Sequence, residues 1–341
     1  MQLLLIGGTG FIGAHVARAL IAQGHRVAVF HRGLWTAELP SSIVHILGDR
    51  HALAASSSAF TRLAPEIVID MVAYTEQDGM ELMGAFRGVA RRLVIVSSMD
   101  VYFSYGRFRR LEPGDPDLQP AREDAPLRQT LFPYRALAKD KNDFAYSYEK
   151  ILVERAVTGC PDLPATILRL PMVYGPGDPY HRLFEYLKRM NDRRSAILLS
   201  EARASWRWTR GFVENIAEAI ALAATDDRAL GQTYNLGENR ALSEAEWVRK
   251  IGRAAGWIGK ILAVNEEHLP PHLRSPYDWR HHCTGDTARI RQELGFAEPV
   301  SPDEALARTI AWERAHPPEQ VDCKQFDYAA EDAAITQLEA G

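Results

Sequence analysis

Tyr146 and Lys150 bracket the segment Tyr146-Ser147-Tyr148-Glu149-Lys150, inside a stretch of helical spacing from Phe144 to Val157. In a continuous helix an i, i+4 interval stacks two side chains on one face. A free phenol, with a pKa near ~10, is a poor base at neutral pH. An ammonium beside it, helped by a cationic ring on a bound cofactor, favours the phenolate. Lowering the phenol by about 3 units takes about 4 kcal/mol, which two nearby positive charges in a partly dry cleft supply. Such a phenolate takes a hydroxyl proton while the same carbon gives up hydride. Ser98, in "LVIVSSMDVY", lies where an apolar strand ends and is placed to hydrogen-bond the reacting oxygen. Asp100 shares its side if the chain is extended there. It is a candidate second acid/base; the alternative is a structural carboxylate bonding backbone or an arginine.

The opening run "LLLIGGTGFIGAHVARALIAQGHRVAVFHRG" supplies the cofactor site that this chemistry needs. Gly8-Thr9-Gly10-Phe11-Ile12-Gly13 matches G-x-G-x-x-G between a strand and a helix. Glycines there allow a tight turn and close approach of backbone to a pyrophosphate, and the helix start offers free N–H groups. Dinucleotide sites that use NAD commonly place an acid at the end of the second strand, to accept from a ribose 2′-hydroxyl. Here His31 and Arg32 stand in that place. Arg32 suits a 2′-phosphate, so NADP is expected ahead of NAD. Asp49, ending the third strand, is expected to border the adenine, and Ala73, past the fourth, to line the cofactor.

These residues require a particular frame. Apolar runs at Gln2–Ile6, Arg26–Phe30, Ile43–Leu47, Glu66–Val72, Leu93–Ser97 and in "ATILRL" alternate with helical stretches. That alternation predicts an α/β, Rossmann-type doubly wound parallel sheet, with ligands beyond the carboxyl ends of its strands. Residues 1–174 are expected to be mainly this domain, interrupted by a long loop or lid at 103–145 that is rich in Pro, Arg, Asp and Tyr. Residues 175–318 read as mainly a smaller α/β substrate lobe. Its helices are expected at Arg182–Met190, Val213–Ala224, Glu244–Ala255 and Asp303–Arg314, and its strands at Ala196–Leu199, Thr233–Leu236 and Lys260–Val264. Residues 319–341 read as a loosely attached tail.

Composition narrows the class. The 341 residues carry 40 basic and 44 acidic side chains, a net charge of −4, which offers no overall basic footprint for nucleic acid. Three cysteines far apart form neither a metal spacing nor a disulfide framework, which fits a reducing cytoplasm. No signal segment or membrane span is expected. The adjacent His281 and His282 face different ways on any regular element, so no metal site is expected.

Glycine loop, strand-end serine and Y-x-x-x-K occur in that order. With "GGTGFIG", "VSSMDVY", "YSYEK", "LRLPMVYGPGD" and "YNLGE", the chain resembles the extended short-chain dehydrogenase/reductase superfamily, in particular its NAD(P)-dependent epimerase/dehydratase family. The resemblance implies catalytic roles for Ser98, Tyr146 and Lys150. It also implies cofactor contacts at Gly7, Thr9, Gly10, Phe11, Ile12, Gly13, Tyr146 and Lys150, and a homodimer. The expected activity is an epimerase or reductase acting at a hydroxyl or keto carbon of a sugar-like, small-molecule substrate. A dehydratase or decarboxylase using Asp100, or a non-catalytic NADP(H)- or RNA-binding relative, is the alternative. Met172 stands where nucleotide-sugar members often carry a substrate-contacting Asn, which weighs against a nucleotide-linked substrate. Met99 before Asp100 departs from the paired acids of the dehydratases. Arg207 and Arg210 in "SWRWTRGFVEN" are candidates to meet a substrate phosphate or carboxylate, the alternative being surface arginines beside packed tryptophans.

Overall fold

A computed structural model describes residues 1–34 and 38–340. Its strands, in chain order, are β1 (Gln2–Ile6), β2 (Arg26–His31), β3 (Val44–Leu47), β4 (Ile67–Asp70), β5 (Arg92–Ser98), β6 (Ala165–Leu170), β7 (Met172–Tyr174), β8 (Ala196–Ser200), β9 (Arg210–Phe212), β10 (Thr233–Asn235) and β11 (Lys260–Val264). Seven form one sheet in the order β10-β6-β5-β4-β1-β2-β3, and all its pairings are parallel. Successive side chains of a strand point to opposite faces. Leu3 and Leu5 therefore enter one apolar cluster, and Leu4 and Ile6 another on the far side. Both faces are covered, which is why these strands read as nearly unbroken apolar runs. The order reverses between β1 and β4, so the ligand crevice opens there, beyond their carboxyl ends.

Two later elements of the chain pack with the main sheet and not with the smaller lobe. Thr233–Leu236 is not a strand of the second lobe: β10 joins the main sheet beside β6. The helix Val213–Thr225 contributes Ile216, Ala217 and Ile220 to the same apolar cluster as Val16 and Leu20 of the helix Phe11–Ala22. The domain thus takes back a later part of the chain. The smaller lobe is built on two parallel strand pairs, β8 with β11 and β7 with β9, and on the helices Phe184–Asn191, Glu244–Ala255 and Pro302–Ala315.

The tail is not loose. A helix from Tyr328 to Ala340 carries Ala334 and Ile335 into an apolar cluster with Leu198, Val264 and Leu269. Glu331, completely buried, pairs with buried Arg189 at 2.6 Å and also meets His272. Gly341 lies outside the described residues. The 103–145 segment is likewise tied down. It has a helix at Phe103–Phe108 and one 3-10 turn at Arg135–Leu137. Glu112 accepts from the backbone N–H groups of Gln129 and Thr130 at 2.7 Å each.

Removing one partner of a buried ion pair leaves the other charge uncompensated, at a cost of about 3–5 kcal/mol. Glu331→Ala should lower the unfolding free energy by that amount in urea titration. A surface-like loss below about 1 kcal/mol would mean that the tail helix is peripheral.

Candidate active site

The cleft at the crevice has a volume of about 1110 Å³. It is lined by Gly7, Thr9, Gly10 and Phe11, by Arg18, His31, Arg32 and Asp49, and by Tyr74, Gly177, Tyr180 and Trp312. Gly7 has φ +81°, a left-handed conformation that favours glycine. A Cβ on Gly13 would lie 2.4 Å from the Gly7 carbonyl oxygen, so the turn closes only on glycine. Gly10 caps the following helix with no side-chain bond, leaving its first N–H groups to an anion. These features fit a dinucleotide pyrophosphate. Ile12 packs partly against the core instead of lining the cleft.

No acid ends β2. The His31 ring accepts from the Gly33 N–H through Nδ1 (3.1 Å), which assigns its proton to Nε2, 2.9 Å from His45 Nδ1. Burial and His45 both lower the His31 pKa, so His31 is neutral at pH 7. Arg32 is exposed beside it. Asp49 accepts from the His51 N–H and caps a short helical turn, while lining the cleft.

At the ends of β4 and β5, Lys150 is completely enclosed. Its ammonium donates to the carbonyls of Ala73 (2.6 Å) and Val96 (2.7 Å) and sits 4.5 Å from the centre of the Tyr74 ring. Ser98 Oγ accepts from the Asp100 N–H at 3.1 Å. Asp100 is buried, and its side chain bonds neither backbone nor arginine among the described residues. Oδ2 accepts from the hydroxyls of Tyr148 (2.8 Å) and Tyr134 (2.9 Å), and Oδ1 has no partner there. Burial pushes the Asp100 carboxyl above the usual range, against the opposing charge of Arg128.

The expected helix through Phe144–Val157 is broken within the motif. One short helix covers Phe144–Ser147 and another starts at Lys150. Between them Tyr148 (φ −60°, ψ 120°) and Glu149 (φ −159°, ψ 96°) are extended, so Tyr146 and Lys150 do not share a helix face. The cause is Glu149. Its carboxylate caps the second helix through the Ile151 N–H (3.0 Å), pairs with Arg128 at 3.0 Å and accepts from the Phe132 N–H. Its own N–H donates to the Tyr74 carbonyl at 2.8 Å. Tyr146 instead packs under Arg135, whose guanidinium lies 4.7 Å from its ring centre. None of the hydrogen bonds of Ser98, Asp100 or Lys150 goes to Tyr146 among the described residues. The tyrosine that meets Asp100 from inside the motif is Tyr148, unnoticed in the sequence, as was Arg128.

The expected substrate residues lie elsewhere. Met172 is buried in the main apolar cluster. Arg210 is buried, ion-paired to Glu244 and stacked 4.7 Å over Trp247, so its charge is committed. Arg207 is half-exposed and pairs with Glu246 at 3.1 Å. Trp206 and Trp208 pack together with Phe108, Tyr277 and Trp279 as a lobe-joining cluster. No cluster of three metal-ligating side chains occurs among the described residues. No helix among them is long and apolar enough to cross a membrane.

Burial pushes the Lys150 ammonium down to about 8, whereas the unfolded chain keeps that proton to ~10.4. Between those values the unfolded state binds more protons, so stability from this group rises with pH, by up to about 3 kcal/mol. Urea titrations across this window should show the rise in the native protein and lose it in Lys150→Met. Parallel curves for the two would contradict it.

Residues 3–237 match the model of the NAD dependent epimerase/dehydratase family. A UDP-N-acetyl-alpha-D-glucosaminuronate decarboxylase of Bacillus cytotoxicus is 25% identical, covering 91% of this chain and 97% of its own. A 2'-dehydrokanamycin reductase of Streptomyces kanamyceticus is 27% identical over 89% of this chain and 79% of its own. In fold, the chain is similar to Thermus thermophilus UDP-glucose 4-epimerase in complex with NAD, with a TM-score of 0.66 and 21% identity over 93% of this chain and 100% of that one. With the glycine turn, the crevice at the strand-order reversal and the family match over more than half its length, this protein belongs to the NAD dependent epimerase/dehydratase family.

Proposed function

We propose that the protein is an NADP(H)-using epimerase or reductase that moves hydride to and from a hydroxyl or keto carbon of a sugar-like substrate. The observation that carries this is Tyr74, which lines the cleft beside the glycine turn and holds the Lys150 ammonium 4.5 Å from its ring centre, with Ser98 and Asp100 next to one another at the end of β5. A bound nicotinamide supplies the hydride acceptor or donor. Ser98 accepts from the Asp100 N–H and keeps its O–H free to donate to the reacting oxygen. Lys150 would add positive charge toward a bound nicotinamide cofactor. A tyrosine hydroxyl from the 146–148 segment completes the set, and Tyr146 is the family-pattern choice. The UDP-linked uronate in one relative's name supports a sugar-like substrate. A cytoplasmic homodimer without nucleic-acid partners fits this role.

A second reading has its own support. Asp100 keeps an unpartnered buried oxygen and a raised pKa, the properties of an additional acid/base in elimination or decarboxylation. Product analysis separates the readings. A reductase changes nicotinamide absorbance in step with product. An epimerase yields an isomer of unchanged mass without net change in the cofactor. A mass loss of water or carbon dioxide supports the second reading. Turnover of a sugar with no transient change in the redox state of the bound nicotinamide, followed by single-turnover absorbance, would sink both.

For the cofactor, Arg32 stands where an acid would repel a 2′-phosphate, and Arg18 lines the same end. Arg32→Ala should weaken NADPH by about 1–3 kcal/mol, roughly 5- to 150-fold, and leave NADH nearly unchanged in fluorescence titration. Equal weakening of both, or tighter NADH binding by the native chain, would reassign the site to NAD.

A further inference from the structure

We propose that the loop 175–183, together with Trp312, covers the bound dinucleotide, and that the contact between His181 and Glu313 latches this cover and slows cofactor exchange. The proposal rests on the dinucleotide reading of the cleft and bears on which reaction the cofactor serves. The loop joins β7 to the helix Phe184–Asn191. Pro176, Gly177, Pro179 and Tyr180 line the cleft from it, and Trp312 lines the same cleft from the helix Pro302–Ala315. The loop also meets the first turns of the helix Phe11–Ala22, where the pyrophosphate is expected. His15 Nε2 is 3.3 Å from the Pro176 carbonyl oxygen, and a Cβ on Gly177 would stand 3.6 Å from the Phe11 ring. Two stretches far apart in the chain therefore wall the dinucleotide site, and neither belongs to the glycine turn.

Within itself the loop is braced. Buried Asp178 accepts from the Tyr180 N–H (3.0 Å), the Arg182 N–H (3.2 Å) and the Arg182 guanidinium (2.6 Å), and that guanidinium lies 4.7 Å from the Tyr180 ring centre. The residue between them fastens the loop to the helix of Trp312. His181 has φ +46°, uncommon for a residue with a side chain. Its ring stacks on Trp312, with centres 5.5 Å apart and planes at 22°, and its Nδ1 donates to Glu313 Oε2 at 2.7 Å. Glu313 is buried, and its other oxygen has no partner among the described residues. Burial raises the Glu313 carboxyl above its ordinary range, the His181 bond opposes this, and the Asp178 charge adds to the rise. Lifting the loop would take away the remaining partner of a buried carboxylate, the costly way to lose a hydrogen bond. The latch involves no cofactor atom, so it opposes entry and exit alike. Slow exchange suits a cycle in which hydride returns to the same substrate, as in an epimerase, because a reductase must release its nicotinamide at every turnover.

The test is stopped-flow exchange on the full chain with NADPH, or with NADH if the native protein prefers it. Loaded protein is mixed with an excess of the oxidised dinucleotide, and the decay of bound-cofactor fluorescence gives the release rate. Mixing free protein with the reduced dinucleotide gives the association rate. His181→Asn keeps a residue that tolerates the left-handed backbone, and Glu313→Gln keeps the side-chain volume; circular dichroism checks that both fold. His181→Asn should raise both rates by about 10-fold or more, the worth of one hydrogen bond to a charged group, and leave Kd nearly unchanged. Glu313→Gln should raise both by less, since its amide oxygen still accepts. Trp312→Phe gives a second readout: the quenching of tryptophan emission by bound NADPH should fall. Faster release with unchanged association would make His181 a plain cofactor contact and overturn the latch, as would unaltered rates in both variants. Undiminished quenching in Trp312→Phe would overturn the cover. A native chain that binds neither NADPH nor NADH would defeat the dinucleotide reading itself, an outcome distinct from binding at unaltered rates.

Discussion

The buried ion pair between Arg128 and Glu149 sets the geometry on which the site depends. Both side chains are fully enclosed, and neither could be left alone there without a large penalty. Their remaining valences are spent on backbone. Arg128 donates to the carbonyls of Asp100 (2.5 Å) and Thr130 (2.7 Å), and Glu149 accepts from the N–H groups of Phe132 and Ile151. One pair therefore joins the end of β5, the 103–145 segment and the start of the helix Lys150–Val157. The same contacts pull Glu149 out of helical conformation and turn Tyr148, not Tyr146, toward Asp100.

Two neighbouring regions carry opposite electrostatics. In the cleft the helix start, Arg18 and Arg32 offer positive charge and open N–H groups in a partly solvated setting, where an anion is attracted without being buried deeply. Near the ends of β4 and β5, Lys150 and Asp100 are both enclosed, and enclosure drives each toward its neutral form. A lysine pushed down and an aspartate pushed up bring their titrations closer to neutrality from opposite sides. Proton exchange near them then needs less free energy than between groups with ordinary values.

Much of this was legible in the residues. Strand–helix alternation specified the parallel sheet because strands buried on both faces must be apolar throughout, as Leu3–Ile6 are. The glycine turn was legible because Gly7 and Gly13 answer steric demands that no other residue meets. The helix break was not. A 3.6-residue period continues through Tyr146–Lys150, and only the distant Arg128 makes Glu149 a better cap than a surface residue. Arg210 misled for a similar reason: an arginine near tryptophans reads as a ligand grip until Glu244, on another element, is seen to claim it. The tail misled because Ala330, Ala334 and Ile335 form a modest apolar stripe whose anchor, Arg189, lies far back in the chain. Local pattern reports local demands, and long-range charge pairing leaves no local trace.

That asymmetry bears on why a costly polar pair is kept at the centre of the site. An apolar pair of similar volume in place of Arg128 and Glu149 would fill the space and could hold the 103–145 segment equally firmly. It would not cap Lys150, accept from Phe132 or hold the Asp100 carbonyl, since each of these needs a directed donor or acceptor. Without the cap, the residues Tyr146–Lys150 have every local reason to continue as helix, which would carry Tyr148 away from Asp100 and leave its carboxylate with one donor in a dry interior. The pair thus contributes orientation more than stability: it selects the one backbone path on which the Tyr148 hydroxyl reaches the buried acid at the end of β5.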